Sequence, residues 1–154
     1  MQRLNLPTYS FNIKSESGRD LIFDSFRNRW VTLTPEEWVR QNFSQYLVTE
    51  LEYPRSLLLL EQKITLNNLT RRCDIVAYNR SGVPVLLVEC KSPDIVLSQK
   101  VFDQIARYNL VLGVRLLMVT NGLDHFCIQA DPDAQKYLFL QEIPAYPAIC
   151  DQSL

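Results

Sequence analysis

Two apolar segments that run straight into charge constrain this chain most. "CDIVAY", from Cys73 to Tyr78, and "VPVLLVECK", from Val83 to Lys91, read as two strands of a hairpin with a turn at Ser81-Gly82. Val85 to Val88 suit a buried strand, yet Glu89 and Lys91 follow at once and Asp74 opens the neighbouring strand. Buried charge is costly unless it is paired or bound to a metal. Strand side chains alternate, so Glu89 and Lys91 share one side of the sheet while Val88 and Cys90 share the other. A two-residue Ser81-Gly82 loop pairs Arg80 with Val83 and sets Asp74 opposite Glu89. A four-residue loop from Asn79 to Gly82, favoured by the missing N–H of Pro84, sets Asp74 opposite Leu87 on the same face. Either even loop gathers Asp74, Glu89 and Lys91; an odd loop scatters them.

Two converging carboxylates repel unless a cation lies between them, and hard oxygen ligands suit Mg²⁺ or Mn²⁺. A lysine beside that ion could hold a nucleophilic water or neutralise a developing oxyanion. Phosphodiester hydrolysis needs this set. The plainer alternative is an edge-strand pair of Glu89 and Lys91 in solvent, with Asp74 capping a turn.

The remainder of the chain supplies a frame for that hairpin. With 154 residues, 47% of them hydrophobic, one domain can bury a core without staples. No apolar run approaches a membrane span, and the N-terminus lacks a charged-then-apolar signal pattern. Cys73, Cys90, Cys127 and Cys150 lack C-x-x-C spacing and, with the lone His125, make a poor zinc set. They read as buried free thiols of a reducing cytoplasm. A net charge of -1 neither supports nor excludes nucleic acid.

Residues 1–33 read as an N-terminal extension with a short hairpin around Ser17-Gly18, whose apolar side is Leu21, Phe23 and Phe26. Thr34 is an N-cap, Pro35 suits the first helical position and Glu37 completes a capping box. Val39, Phe43, Tyr46, Leu47 and Leu51 then repeat at helical spacing, giving a helix from Pro35 to Leu51. Strands follow over Leu57 to Ile64, Cys73 to Tyr78 and Val83 to Lys91, with turns at Asn67-Asn68 and Ser81-Gly82. A second helix runs from Ser98 to Leu112 and stops at Gly113, and strands over "RLLMVTNG", "HFCIQA" and Tyr137 to Leu140 complete the order. This is an α/β sandwich with a mixed central sheet, and residues 145–154 form a tail.

"RRCDIVAYNRSGVPVLLVECKSP" and "VFDQIARYN", together with "TPEEWVRQNF" and "LMVTNG", resemble the PD-(D/E)xK nuclease superfamily. More closely, they look like the N-terminal nuclease domain of the restriction subunit of type I restriction enzymes. The resemblance covers residues 34–144 and implies a restriction-endonuclease-like fold with an α-βββ-α-β core. It implies that Asp74 and Glu89 bind Mg²⁺, with Mn²⁺ as a substitute, aided by the backbone carbonyl of Cys90. Lys91 would position or activate water. A Q-x-x-x-Y motif, here Gln104 and Tyr108 one helical turn apart, would orient DNA or the lysine; alternatively Tyr108 is a core aromatic. An acid on the first helix is also implied, either Glu36 or Glu37, and the "E-x-V-R" context selects Glu37. The residue before Asp74 is Cys73 where the superfamily name has proline.

The expected activity is a cytoplasmic, Mg²⁺-dependent DNA endonuclease of restriction or DNA processing. Its partners would be DNA and a motor or specificity protein in trans, with a homodimer left open. The chain has no Walker-type G-x-x-x-x-G-K-[ST], so neither a motor nor a complete restriction system is expected within it. The alternative is a catalytically silent DNA-binding or assembly module; decayed copies would lose Asp74, Glu89 or Lys91, and all three are present. A small-molecule hydrolase lacks its G-x-S-x-G elbow, Cys/His pair or Gly-rich phosphate loop.

Overall fold

In the computed structural model of the chain the described residues are 1–131, 133 and 136–147, the side chains of Tyr108, Leu110 and Val111 excepted. β1 (Ile13–Glu16), β2 (Arg19–Asp24) and β3 (Arg29–Thr32) form an antiparallel meander. Ser17 and Gly18 both take positive φ, 51° and 76°, and Glu16 pairs with Arg19. A two-residue turn of that kind matches the strand twist. The expected apolar side of Leu21 and Phe23 is not the buried one. Ile22 and Asp24 are fully buried instead, while Leu21 and Phe23 stay half-exposed. Alternation puts Ile22 and Asp24 on one face, and Asp24 is drawn inward by Arg27 and by the backbone N–H of Phe26.

α1 (Pro35–Thr49) starts where the sequence says and ends two residues before Leu51. Thr34 Oγ1 accepts from the Glu37 N–H at 3.0 Å, but the capping box closes only on that side. The Thr34 N–H bonds to the Thr32 carbonyl, and the Glu37 carboxylate goes to Arg27 and Arg40. Two charge-assisted bonds outcompete one to a backbone amide.

β4 (Leu58–Leu66), β5 (Leu69–Tyr78), β6 (Pro84–Cys90), β7 (Leu116–Thr120), β8 (His125–Asp131) and β9 (Lys136–Leu140) form a six-stranded sheet in sequential order. Only β6 and β7 are parallel. A parallel pair needs a crossover, supplied by α2 (Gln99–Leu112), which ends on Gly113 at φ 77°. The α-βββ-α-β order is therefore present, with a further pair of strands after it. α1 covers one face through Val39, Phe43 and Leu47, against Ile75, Leu86 and Val88. α2 covers the other through Phe102, Ile105 and Leu112, against Val76, Leu87 and Leu117. Burial of β6 on both faces follows from alternation: Leu86, Val88 and Cys90 belong to the α1 side and Leu87 to the α2 side. Cys73, Cys90 and Cys127 are buried free thiols, and Cys150 lies outside the described residues.

The β5–β6 connection is neither of the even loops. Asn79 N–H bonds to the Val83 carbonyl, so Arg80, Ser81 and Gly82 form an odd loop that by itself would split the charged residues between faces. A bulge offsets it: Tyr78 pairs with Pro84, but Ala77 pairs with Leu86, so Val85 is an extra residue. Beyond the bulge the register runs Val76 with Leu87 and Ile75 with Val88, and one step further brings Asp74 level with Glu89.

The N-terminal segment is held by the β7–β8 turn, where the Asn5 N–H bonds to the Gly122 carbonyl at 2.8 Å. Gly122 has φ +85°, and a Cβ there would stand 2.6 Å from Leu4 Cδ2 and 3.1 Å from Val39 Cγ2. Gly122→Ala should therefore lose about 2 kcal/mol, from a left-handed backbone and overpacking together. Urea denaturation measures this, and a loss below about 0.5 kcal/mol would mean that Leu4 swings clear at little cost.

Candidate active site

Three carboxylates lie in a row across β4, β5 and β6. Leu60 pairs with Ile75 and Gln62 with Cys73, so the position between them sets Glu61 opposite Asp74, which is itself level with Glu89. Glu61 takes φ 54°, a conformation that costs a side-chain-bearing residue roughly 1 kcal/mol or more and is found where surroundings enforce it.

Each of these acids meets a guanidinium. Arg40, buried on α1, sends Nη2 to Asp74 Oδ1 at 2.8 Å, to Glu61 at 2.9 Å and to Glu36 at 3.1 Å, and Nη1 to Glu37 at 2.9 Å. Burial works against that charge, but Glu37 and Asp74 overcome it and hold the arginine pKa above its ordinary value. Asp74 Oδ2 accepts from the Cys90 backbone N–H at 2.8 Å. Glu89 is 7% exposed and accepts from Arg71 Nη2 at 2.5 Å. Burial, then the neighbouring Asp74 carboxylate, push the Glu89 pKa up to about 8. Arg71 and Lys91 act against that rise and offset it only in part.

Beside the row is a cleft of about 440 Å³ lined by Glu36, Arg71, Lys91, Ser92, Ile95, Val101, Gln104 and Ile105. Lys91 stands just past β6, with its N–H bonded to the Thr120 carbonyl at 2.8 Å, so the sheet fixes its backbone. Gln104 comes from α2 and Glu36 from the first turn of α1. Burial and then Asp74 raise the Glu36 pKa. The expected pair of Lys91 and Gln104 thus shares one cleft, and Arg71 joins it to Glu89. Glu37 is placed differently: it is buried, its carboxylate on Arg27 and Arg40, one guanidinium removed from Asp74. Neighbours on a helix differ by about 100°, and the face that reaches the cleft is that of Glu36. Tyr108 is on α2 one turn beyond Gln104, and its side chain is outside the described residues. The lone His125 stands elsewhere, its Nε2 donating to the Asn5 carbonyl and its Nδ1 meeting Thr120 Oγ1.

Among the described residues no group of three or more His, Cys, Asp or Glu is arranged to hold a metal by itself. Arginines are seated on the carboxylates that would do so. The donors nevertheless fit a hard divalent ion: all are oxygens, and Asp74 and Glu89 stand level with each other on adjacent strands. Arg40, Arg71 and Glu61 were not singled out in the sequence as site residues. Glu61 could have been, because counting back from the Asn67-Asn68 turn, through Leu66 opposite Leu69, reaches Asp74.

Comparison with known proteins bears on the same segment. A family model described as type I restriction enzyme R protein N terminus (HSDR_N) matches residues 35–144, from the start of α1 to just beyond β9. The match contains Asp74, Glu89, Lys91 and Gln104 and leaves β1–β3 outside. Among solved structures, the fragment structure of a putative HsdR subunit of a type I restriction enzyme from Vibrio vulnificus YJ016 is similar in fold. The TM-score is 0.54 and the identity 19%, over 77% of this chain and 25% of that one. The chain thus spans about a quarter of that relative's length. No curated protein matches.

Proposed function

The chain belongs to the family of type I restriction enzyme R protein N-terminal domains, and on that footing we propose that it hydrolyses DNA phosphodiester bonds with the help of Mg²⁺ or Mn²⁺. The observation that carries this reading is the row of Asp74 and Glu89 beside a cleft that holds Lys91 and Gln104. Asp74, Glu89 and the backbone carbonyl of Cys90 would hold the ion. When bound, it would polarise the scissile phosphoryl group and offset the charge that grows on it.

The side chains of the cleft then have separate tasks. The Lys91 ammonium donates to the attacking water and aligns it with the phosphorus. As the new P–O bond forms, the water gives up a proton to solvent in the cleft, the bond to the leaving strand breaks and its oxygen takes a proton from solvent, while the same positive charge meets the charge developing on the phosphoryl oxygens. Gln104 positions the nucleotide through its amide, which both donates and accepts. Glu36 contributes negative charge at the cleft wall, and Glu37 acts through Arg40, whose guanidinium fixes Asp74 Oδ1. The helical residues that line the cleft, Glu36, Val101, Gln104 and Ile105, include a single amide able to read a base edge, so weak sequence preference is expected. A motor or specificity protein in trans would supply the addressing.

One feature favours a second reading, a catalytically silent DNA-binding module: Arg40 and Arg71 already neutralise the two carboxylates. Plasmid cleavage separates the two. Supercoiled DNA should be nicked with Mg²⁺ or Mn²⁺ and left intact in EDTA, and Asp74→Asn should abolish nicking while the protein stays folded. A wild type that binds the plasmid but never cuts it with either ion would give the second reading the field.

A further inference from the structure

Resting on that reading, we infer that Arg71 is a DNA phosphate ligand of the cleft, held by Glu89 in the metal-free protein and released to the backbone when an ion takes Glu89. The geometry carries the inference. Arg71 lines the cleft together with Lys91 and Gln104, so its side chain is already where a strand would run. Its Nη2 is 2.5 Å from Glu89 Oε1, and the two side chains are 17% and 9% exposed, so each desolvates the other at the cleft wall.

Glu89 is thus wanted by two cations. An oxygen that coordinates a divalent ion gives a weaker hydrogen bond to a guanidinium, and the guanidinium is repelled by the ion as well. A DNA phosphate in the cleft meets the demand this creates. The planar fork of arginine matches phosphate oxygens two at a time, which the compact ammonium of Lys91 does not. Ion and DNA would therefore bind with positive coupling, each raising the affinity for the other.

Binding of a labelled duplex in EDTA, where nothing is cut, tests this in four proteins: wild type, Glu89→Gln, Arg71→Met and the double variant. Glu89→Gln keeps the shape and replaces the charged partner of Arg71 with a neutral one that holds it less firmly, so it should bind about tenfold tighter than wild type, the scale of one charge-assisted contact. Its affinity should fall more steeply with salt, the slope rising by about one phosphate contact. The double variant should lose both gains. Isothermal titration of Mn²⁺ without DNA supplies a second measure, in which Arg71→Met should bind the ion several-fold tighter because the competitor is gone; a merely damaged site would bind it more weakly. A tightening by Glu89→Gln that persists undiminished without Arg71 would reflect relief of repulsion alone and overturn the assignment, leaving the nuclease reading intact. Absence of duplex binding by all four proteins, with no cleavage by the wild type in Mg²⁺ or Mn²⁺, would overturn both.

Discussion

Replacing Lys91 with methionine should leave a folded protein that still binds DNA and cleaves it at least about 10²–10³-fold more slowly, the usual scale for deleting one donor to developing charge. The effect should be confined to chemistry because the backbone at this position belongs to the sheet, through the Lys91 N–H bond to Thr120. Among the described residues no carboxylate lies within ion-pair distance of the Lys91 ammonium, so removing the charge orphans no partner. The stability change should stay within roughly 0.5 kcal/mol, as for other half-buried surface groups. Lys91→Arg sharpens the test. It retains the charge but spreads it over a wider planar group, so a small fraction of the rate should return. Single-turnover cleavage beside a thermal melt measures both, and Lys91→Met activity within tenfold of wild type would remove the lysine from the mechanism.

The helices and the charged strands were legible because local chemistry specifies them. Pro35 after Thr34, the Val39–Phe43–Leu47 stripe and Gly113 at the end of α2 need only spacing and capping preference. The face shared by Asp74 and Glu89 was legible too, though for a reason other than the one counted. The loop is odd, and the extra residue at Val85 restores the parity. Nothing in "VPVLLV" marks Val85 as the bulged residue; bulges answer to twist and to neighbouring strands, which one segment does not encode.

The rest of the site depended on docking angles. Whether Glu36 or Glu37 turns to the cleft is a matter of how α1 lies across the sheet, and a capping signature cannot report it. Arg40 is invisible in the same way, because its four acidic partners come from α1, β4 and β5. Ile22 illustrates the point at smaller scale. The β1–β2 hairpin was found from Ser17-Gly18, but which face it buries is set by the ion pairs of Asp24, Arg27 and Glu37.

Arg40→Met should be the most destabilising single change at this site. Methionine fills much of the arginine stem's volume, so the packing loss is small and the charge loss dominates. Glu37 is 5% exposed and keeps Arg27, but Asp74 and Glu61 lose a shared donor. Breaking a buried pair from one side typically costs about 3–5 kcal/mol, a large part of a domain's total stability. Melting should fall by roughly 10 °C for a chain of this size. The loss should shrink as pH is lowered. Carboxyls without their counter-ion have folded-state pKa values above the unfolded ones, as Glu36 and Glu89 do already, so the folded state binds more protons and gains stability as pH falls toward the unfolded values. Removing one acid as well, in Arg40→Met with Glu61→Gln, should recover part of the deficit, since two groups that shared a donor are coupled. Urea denaturation between pH 8 and pH 5 reads all three effects. A cost under about 1 kcal/mol at pH 8, or one that grows as the acids are protonated, would mean that Arg40 is a solvated bystander and that Asp74 owes its position to the Cys90 amide alone.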